Sequence, residues 1–148
     1  MKKVILAVCL VSFLLLTAMV VNAAEERNVT ATFTYTKIAE TMTIKLDKVF
    51  APVISDVAKY KPWKYFVGIY DSREMAIPMS DIKSITNVSG RQTWADYVMV
   101  EVLKTNGEKV KMVVPKKGKS GMDLVWAGKS DNNRDINISV DRVLKIEF

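Results

Sequence analysis

Ser80-Asp81-Ile82-Lys83 sets a hydroxyl three residues from an amine, the spacing at which a lysine can activate a serine for acyl transfer. Ser130-Asp131-Asn132 and Lys119-Ser120-Gly121 add two short patterns that accompany the same chemistry. Asp131-Asn132-Asn133-Arg134-Asp135 places side-chain oxygens at alternate positions, as the start of a calcium loop does. Lys59-Tyr60-Lys61-Pro62-Trp63-Lys64-Tyr65-Phe66 interleaves amines with rings, a composition suited to stacking on sugars or lipid-interface groups while meeting phosphates or carboxylates. The chain has no histidine, and its single cysteine, Cys9, lies in an N-terminal apolar run. Imidazole and thiol chemistry, and most metal sites built on them, are therefore not expected.

The first two constellations fail on context. Serine β-lactamases and penicillin-binding proteins carry S-D-N before K-T-G, and here the order is reversed. Their nucleophile opens a helix, whereas Ser80 falls between two expected strands. In the calcium pattern, Ile136 stands where the loop needs a glycine and Arg142 where a bidentate glutamate should close the site; a polar hairpin turn accounts for the same residues. No enzyme, cofactor or metal is expected. The candidate ligand-binding residues are Lys59, Tyr60, Lys61, Trp63 and Lys64; the alternative is that Trp63 seals a barrel mouth and the lysines are solvated. A second basic run, Lys116-Lys117 with Lys119, serves either as a contact or as a guard against edge pairing.

These residues work outside the cytoplasm if the N-terminus is read as a secretion signal. Lys2 and Lys3 precede an uncharged apolar run from Val4 to Val21, and Val21-Asn22-Ala23 offers a small residue for cleavage after position 23. The run also approaches the roughly 18 residues that span a bilayer, so retention as an anchor is the alternative. Cleavage would leave 125 residues without a cysteine, a domain held by burial and backbone pairing alone. The net charge of +6 would fall to +4 with loss of Lys2 and Lys3. That excess suits weak attraction to anionic envelope polymers or headgroups, and export argues against nucleic acid as a partner.

Beyond the leader, β-branched and alternating runs recur every eight to twelve residues. They predict strands at 29–37, 41–49, 64–70, 75–79, 83–87, 97–104, 109–114, 122–127, 135–140 and 143–148. A short helix is expected from Pro52 to Tyr60. Val98–Lys104 and Lys109–Val114 flank Thr105-Asn106-Gly107. A three-residue loop with Gly107 left-handed pairs Lys104 with Glu108 and Glu101 with Lys111, and gathers six apolar residues on one face.

The two halves of this series end alike. Ile77-Pro78-Met79-Ser80-Asp81-Ile82-Lys83-Ser84-Ile85 aligns without gaps on Ile138-Ser139-Val140-Asp141-Arg142-Val143-Leu144-Lys145-Ile146. Alternation followed by a three-residue step predicts strand, one tight helical turn, strand, with Ser80 or Asp141 capping the turn and Ile82 and Val143 buried. The repeat records either an internal duplication or convergence on one turning device. Five strands with such a turn before the last resemble SH3-like or Sm-like small barrels.

The resemblance implies an all-β chain of two tandem five-stranded barrels: a signal peptide 1–23, a first module 24–88, a linker 89–94 and a second module 95–148. A single ten-stranded antiparallel sandwich or barrel is the alternative. The expected function is a non-catalytic binding or assembly module of the bacterial envelope, periplasmic or otherwise extracytoplasmic. Its partner would be an envelope protein or an anionic envelope polymer, without stable membrane insertion once the leader is removed. One alternative is an electrostatic binder of anionic cell-wall glycan or lipid headgroups. Another is a small hydrolase using a Ser–Lys or carboxylate pair.

Overall fold

The computed structural model describes residues 29–55, 60–89 and 95–148. Ten strands account for most of them: β1 (Ala31–Lys37), β2 (Glu40–Phe50), β3 (Tyr65–Tyr70), β4 (Arg73–Pro78), β5 (Ile82–Asn87), β6 (Tyr97–Lys104), β7 (Lys109–Pro115), β8 (Val125–Lys129), β9 (Asp135–Ser139) and β10 (Val143–Glu147). Each matches an expected strand. β8 is displaced most, because Met122 to Leu124 form one side of a small loop hairpin instead. The expected helix is not found over Pro52 to Ser55, which is irregular, and 56–59 lies outside the described residues.

All pairings are antiparallel, and the strands form one curled sheet, a half-barrel, in the order β4-β3-β7-β6-β5-β10-β1-β2-β8-β9. One continuous sheet thus stands where two sequence-contiguous barrels were expected. The reason lies in the partners. β3 pairs with β7, β2 with β8, and β5 lies beside β10, so strands from the two halves of the chain are interleaved.

Exchanging every strand for the one five places away reverses this order onto itself. The registers obey the same rule. Asp47 faces Lys129 between β2 and β8, and Val113 faces Ile69 between β7 and β3. Phe33 faces Ile146 between β1 and β10, and Val102 faces Ile85 between β6 and β5. Ile85 and Ile146, the last residues of the repeated phrases, face each other. A pseudo-two-fold axis therefore passes between them. It relates Phe66 to Trp126, whose rings stack at 5.5 Å, and Gly68 to Gly128. At both glycines a side chain of the neighbouring strand takes up the space that a Cβ would need. A Cβ on Gly68 would stand 2.7 Å from Met112 Sδ, and one on Gly128 3.0 Å from Leu46 Cβ.

The repeated phrases fold as expected in outline. Met79–Asp81 and Val140–Arg142 are single 3₁₀ turns between strands. All four apolar positions are buried in each copy: Ile77, Met79, Ile82 and Ile85, and Ile138, Val140, Val143 and Ile146. The capping expectation is corrected. Each turn begins two residues early, so Pro78 and Ser139 take the cap position and no side chain caps either turn. Ser80 instead donates its hydroxyl to Asp81 Oδ1 at 3.0 Å. The first N–H of each turn is met by the residue just before a strand: Met79 N–H donates to the Lys64 carbonyl at 2.9 Å, and Val140 N–H to the Leu124 carbonyl at 3.0 Å.

The β6–β7 hairpin has the bulged register. Glu101 faces Lys111, Val102 faces Val110, and Gly107 has φ +86°. Lys104 N–H donates to the Glu108 carbonyl at 2.8 Å and Gly107 N–H to the Lys104 carbonyl at 3.0 Å. The inward residues Val98, Val100, Val102, Val110, Met112 and Val114 are all buried. On the outer face Lys104 pairs with Glu108 at 2.9 Å, while Glu101 takes Lys109 at 2.9 Å as its ion partner. The hydrogen bond and charge of Lys104 hold the Glu108 carboxyl below its ordinary value.

Candidate functional site

The aromatic–lysine segment lies where the chain leaves β2 and enters β3. Its neck is pinned by the Ala51 N–H, which donates to the Pro62 carbonyl at 2.7 Å. Pro62 then starts a tight turn in which Lys64 and Tyr65 N–H groups donate to the Lys61 carbonyl at 2.9 and 3.0 Å. This turn, with the fixed φ of proline, gives the side chains defined places on an otherwise irregular connection.

Two adjacent groups result. In the first, the Lys61 ammonium lies 5.5 Å from the centre of the Trp63 ring, and that ring meets Phe50 edge-on at 6.2 Å. A cation over an indole face is attracted by the ring quadrupole, by roughly 0.5–1 kcal/mol at an exposed site. In the second, Tyr60 packs edge-on against Tyr65 at 5.9 Å and lines a small recess, with room for about one water molecule, together with Pro52, Val53 and Ile54. Lys61 and Lys64 are exposed, Tyr60 and Trp63 half-buried. Lys59 lies outside the described residues. Sequence reading missed Phe50 and Val53. Phe50 lies just past the expected strand 41–49, and only the fold turns it toward Trp63; Val53 is 57% exposed, in a stretch expected to be helical.

The constellations set aside on sequence are separated or occupied in other ways. Ser80 lies on the turn before β5, and Ser130 between β8 and β9 at the far edge of the sheet. Ser130 Oγ accepts from the Arg134 N–H at 3.3 Å, and its carbonyl accepts from Asn133 N–H at 2.8 Å. Asp131 Oδ1 accepts from the Asn132 N–H at 2.9 Å, and Asp135 pairs with Lys129 at 2.6 Å. The would-be calcium residues thus form a hairpin turn. Among the described residues no group of three or more His, Cys, Asp or Glu side chains could hold a metal ion.

An apolar cleft lined by Phe66, Val98, Trp126 and Val143 opens beside Asn87, with room for about one water molecule. Asn87 Nδ2 donates to the Val143 carbonyl there at 3.3 Å.

The second basic run occupies the connection from β7 to β8. β7 lies between β3 and β6, so these lysines do not guard an edge strand. The connection folds on itself as a small hairpin. Leu124 N–H donates to the Lys116 carbonyl and Gly118 N–H to the Met122 carbonyl, both at 2.8 Å, with a bridge between Lys117 and Asp123. Gly121, with φ +79°, closes its tip. Lys117, Lys119 and Met122 are exposed.

No helix among the described residues is long and apolar enough to cross a membrane. Comparison with protein-family models, curated proteins and solved structures finds no match to this chain.

Proposed function

We propose that the chain is an exported, non-catalytic binding or assembly module of the bacterial envelope, its leader 1–23 cleaved, working in the periplasm or elsewhere outside the cytoplasm. Its contact surface is the segment from Tyr60 to Tyr65, and its partner an envelope protein or an anionic envelope polymer. The observation that carries this reading is the group formed by Lys61, Trp63 and Phe50, a cation held over a ring on a connection pinned to the sheet. Such a group offers charge and a flat apolar face with little left to order on binding. The strand order also supports taking the runs β5-β6-β7-β3-β4 and β10-β1-β2-β8-β9 as two small-barrel-like units, each assembled from both halves of the chain.

The test is binding of the full chain to isolated envelope fractions across a salt series. Exposed charges are screened beyond about 8 Å near physiological ionic strength, so binding through Lys61 and Lys64 weakens as salt rises. Exchanging both lysines for glutamine and Trp63 for alanine is expected to remove most of it. Binding that ignores both salt and these exchanges overturns the assignment of the surface.

A further inference from the structure

The two-fold order of the sheet makes the β2–β3 and β7–β8 connections equivalent, and these carry the two basic runs. The equivalence extends to single bonds. The carbonyls of Lys64 and Leu124, each just before the third strand of its half, accept the matching N–H groups of Met79 and Val140. Both connections are pinched at the neck by a backbone bond, Ala51 N–H to Pro62 O and Leu124 N–H to Lys116 O. Each then presents lysines with an exposed aliphatic side chain. Lys61 and Lys64 accompany Val53, and Lys116, Lys117 and Lys119 accompany Met122, which is 71% exposed, with Asp123 as the acidic residue of that loop.

A two-fold rotation moves nothing along its own axis. The necks of the two equivalent loops therefore lie at one height along the axis that passes between Ile85 and Ile146, on opposite sides of it. A planar anionic surface perpendicular to that axis can meet both at once. The exposed valine and methionine choose among anionic surfaces. A lipid interface takes up apolar side chains, whereas a glycan supplies charge but no apolar phase.

Resting on the reading of the Tyr60–Tyr65 segment as a contact surface, we infer that the protein makes a two-point peripheral contact with an anionic lipid surface, one point through each inter-strand loop. Two linked weak contacts bind far more tightly than either alone.

The experiment uses the full chain with phosphatidylcholine vesicles, alone and mixed with phosphatidylglycerol, and with purified cell-wall glycan as a second arm. Binding is expected only to the mixed vesicles. Each lysine near such a surface contributes about fivefold in affinity. The pair Lys61→Gln and Lys64→Gln then costs about 25-fold, and the triple Lys116→Gln, Lys117→Gln and Lys119→Gln about 100-fold. All five together leave no measurable binding, and Val53→Ser with Met122→Ser weakens it severalfold. Circular dichroism and thermal unfolding of every variant confirm that the fold is kept.

If the triple exchange leaves vesicle binding unchanged while the pair abolishes it, the two-point contact is wrong and the single-segment function stands. Preference for glycan, with no effect of the serine exchanges, overturns the lipid assignment alone. Indifference to every exchange overturns both.

Discussion

Ile38 carries a β-branched side chain at φ +51°, followed by Ala39 at +64°, in the two-residue turn between Lys37 and Glu40. Left-handed backbone strains both residues, and Ile38 is 89% exposed, so no packing offsets the strain. Replacing Ile38-Ala39 by Asn-Gly should stabilise the fold by about 0.5–2 kcal/mol, read as a raised urea midpoint with unchanged slope. The opposite sign is expected at the buried glycines. Gly128→Ala should cost about 1–3 kcal/mol, because its methyl would press on Leu46 Cβ, which is fixed to the backbone of β2. Gly68→Ala should cost less, since the atom in its way is the sulfur of Met112, a flexible side chain that can turn aside. Equal losses at the two sites in parallel denaturation curves would contradict this difference.

At the scale of elements, Ile82 and Val143 lie buried beside matching 3₁₀ turns. Ile82→Ala should cost about 2–5 kcal/mol and Val143→Ala somewhat less, by the same denaturation assay. Gly107→Val should cost roughly 1 kcal/mol or more, because a branched side chain is strained at φ +86°. Protonation of Glu108 provides a pH signature for the same hairpin. Its carboxyl is held below the ordinary value in the folded chain, first by the hydrogen bond and then by the charge of Lys104. Its stabilising effect is therefore fully present above the unfolded value and is lost as pH falls through the folded one. In Glu108→Gln that part of the acid sensitivity should vanish, seen as a smaller drop in midpoint between neutral and acid solution.

The strands were legible because each is written in its own residues. Val110 and Met112 alternate with the outward Lys109 and Lys111 whatever lies beside them. The β6–β7 register was legible because Lys104 and Glu108 add a charge match to the apolar one. The caps were misplaced because Ser80 and Asp141 are good capping types by composition, while the turn starts wherever Met79 and Val140 reach the core. The exchange of partners was not legible at all. The alternation in β3 would be the same beside β2 as beside β7. Of the candidate site, Lys61 and Trp63 could be read from composition, whereas Phe50 joined them only once β2 ended in space beside the Pro62 turn.

For the whole molecule, interleaving means that neither half owns a complete set of neighbours. Every strand of the run β5-β6-β7-β3-β4 touches a partner in the run, yet β3, β4 and β5 come from one half and β6 and β7 from the other. Cutting the folded chain at a protease site placed within 90–94 should therefore leave the fragments together. They should elute as one species and unfold in one transition whose midpoint depends on concentration. Two separately eluting folded fragments would show that each half stands alone.

β10 is the last of the ten strands to be made, and it occupies the middle of the sheet between β5 and β1. Until it arrives, β1 and β5 have no bridge, and the pairs Phe33–Ile146 and Ile85–Ile146 cannot form. Folding dominated by such distant pairings is slow. For a polypeptide threaded through a translocation pore from its N-terminus, as the proposed export requires, this delay is useful. If the proposed export begins before synthesis ends, the sheet cannot close on the wrong side of the membrane, because its central strand is made last.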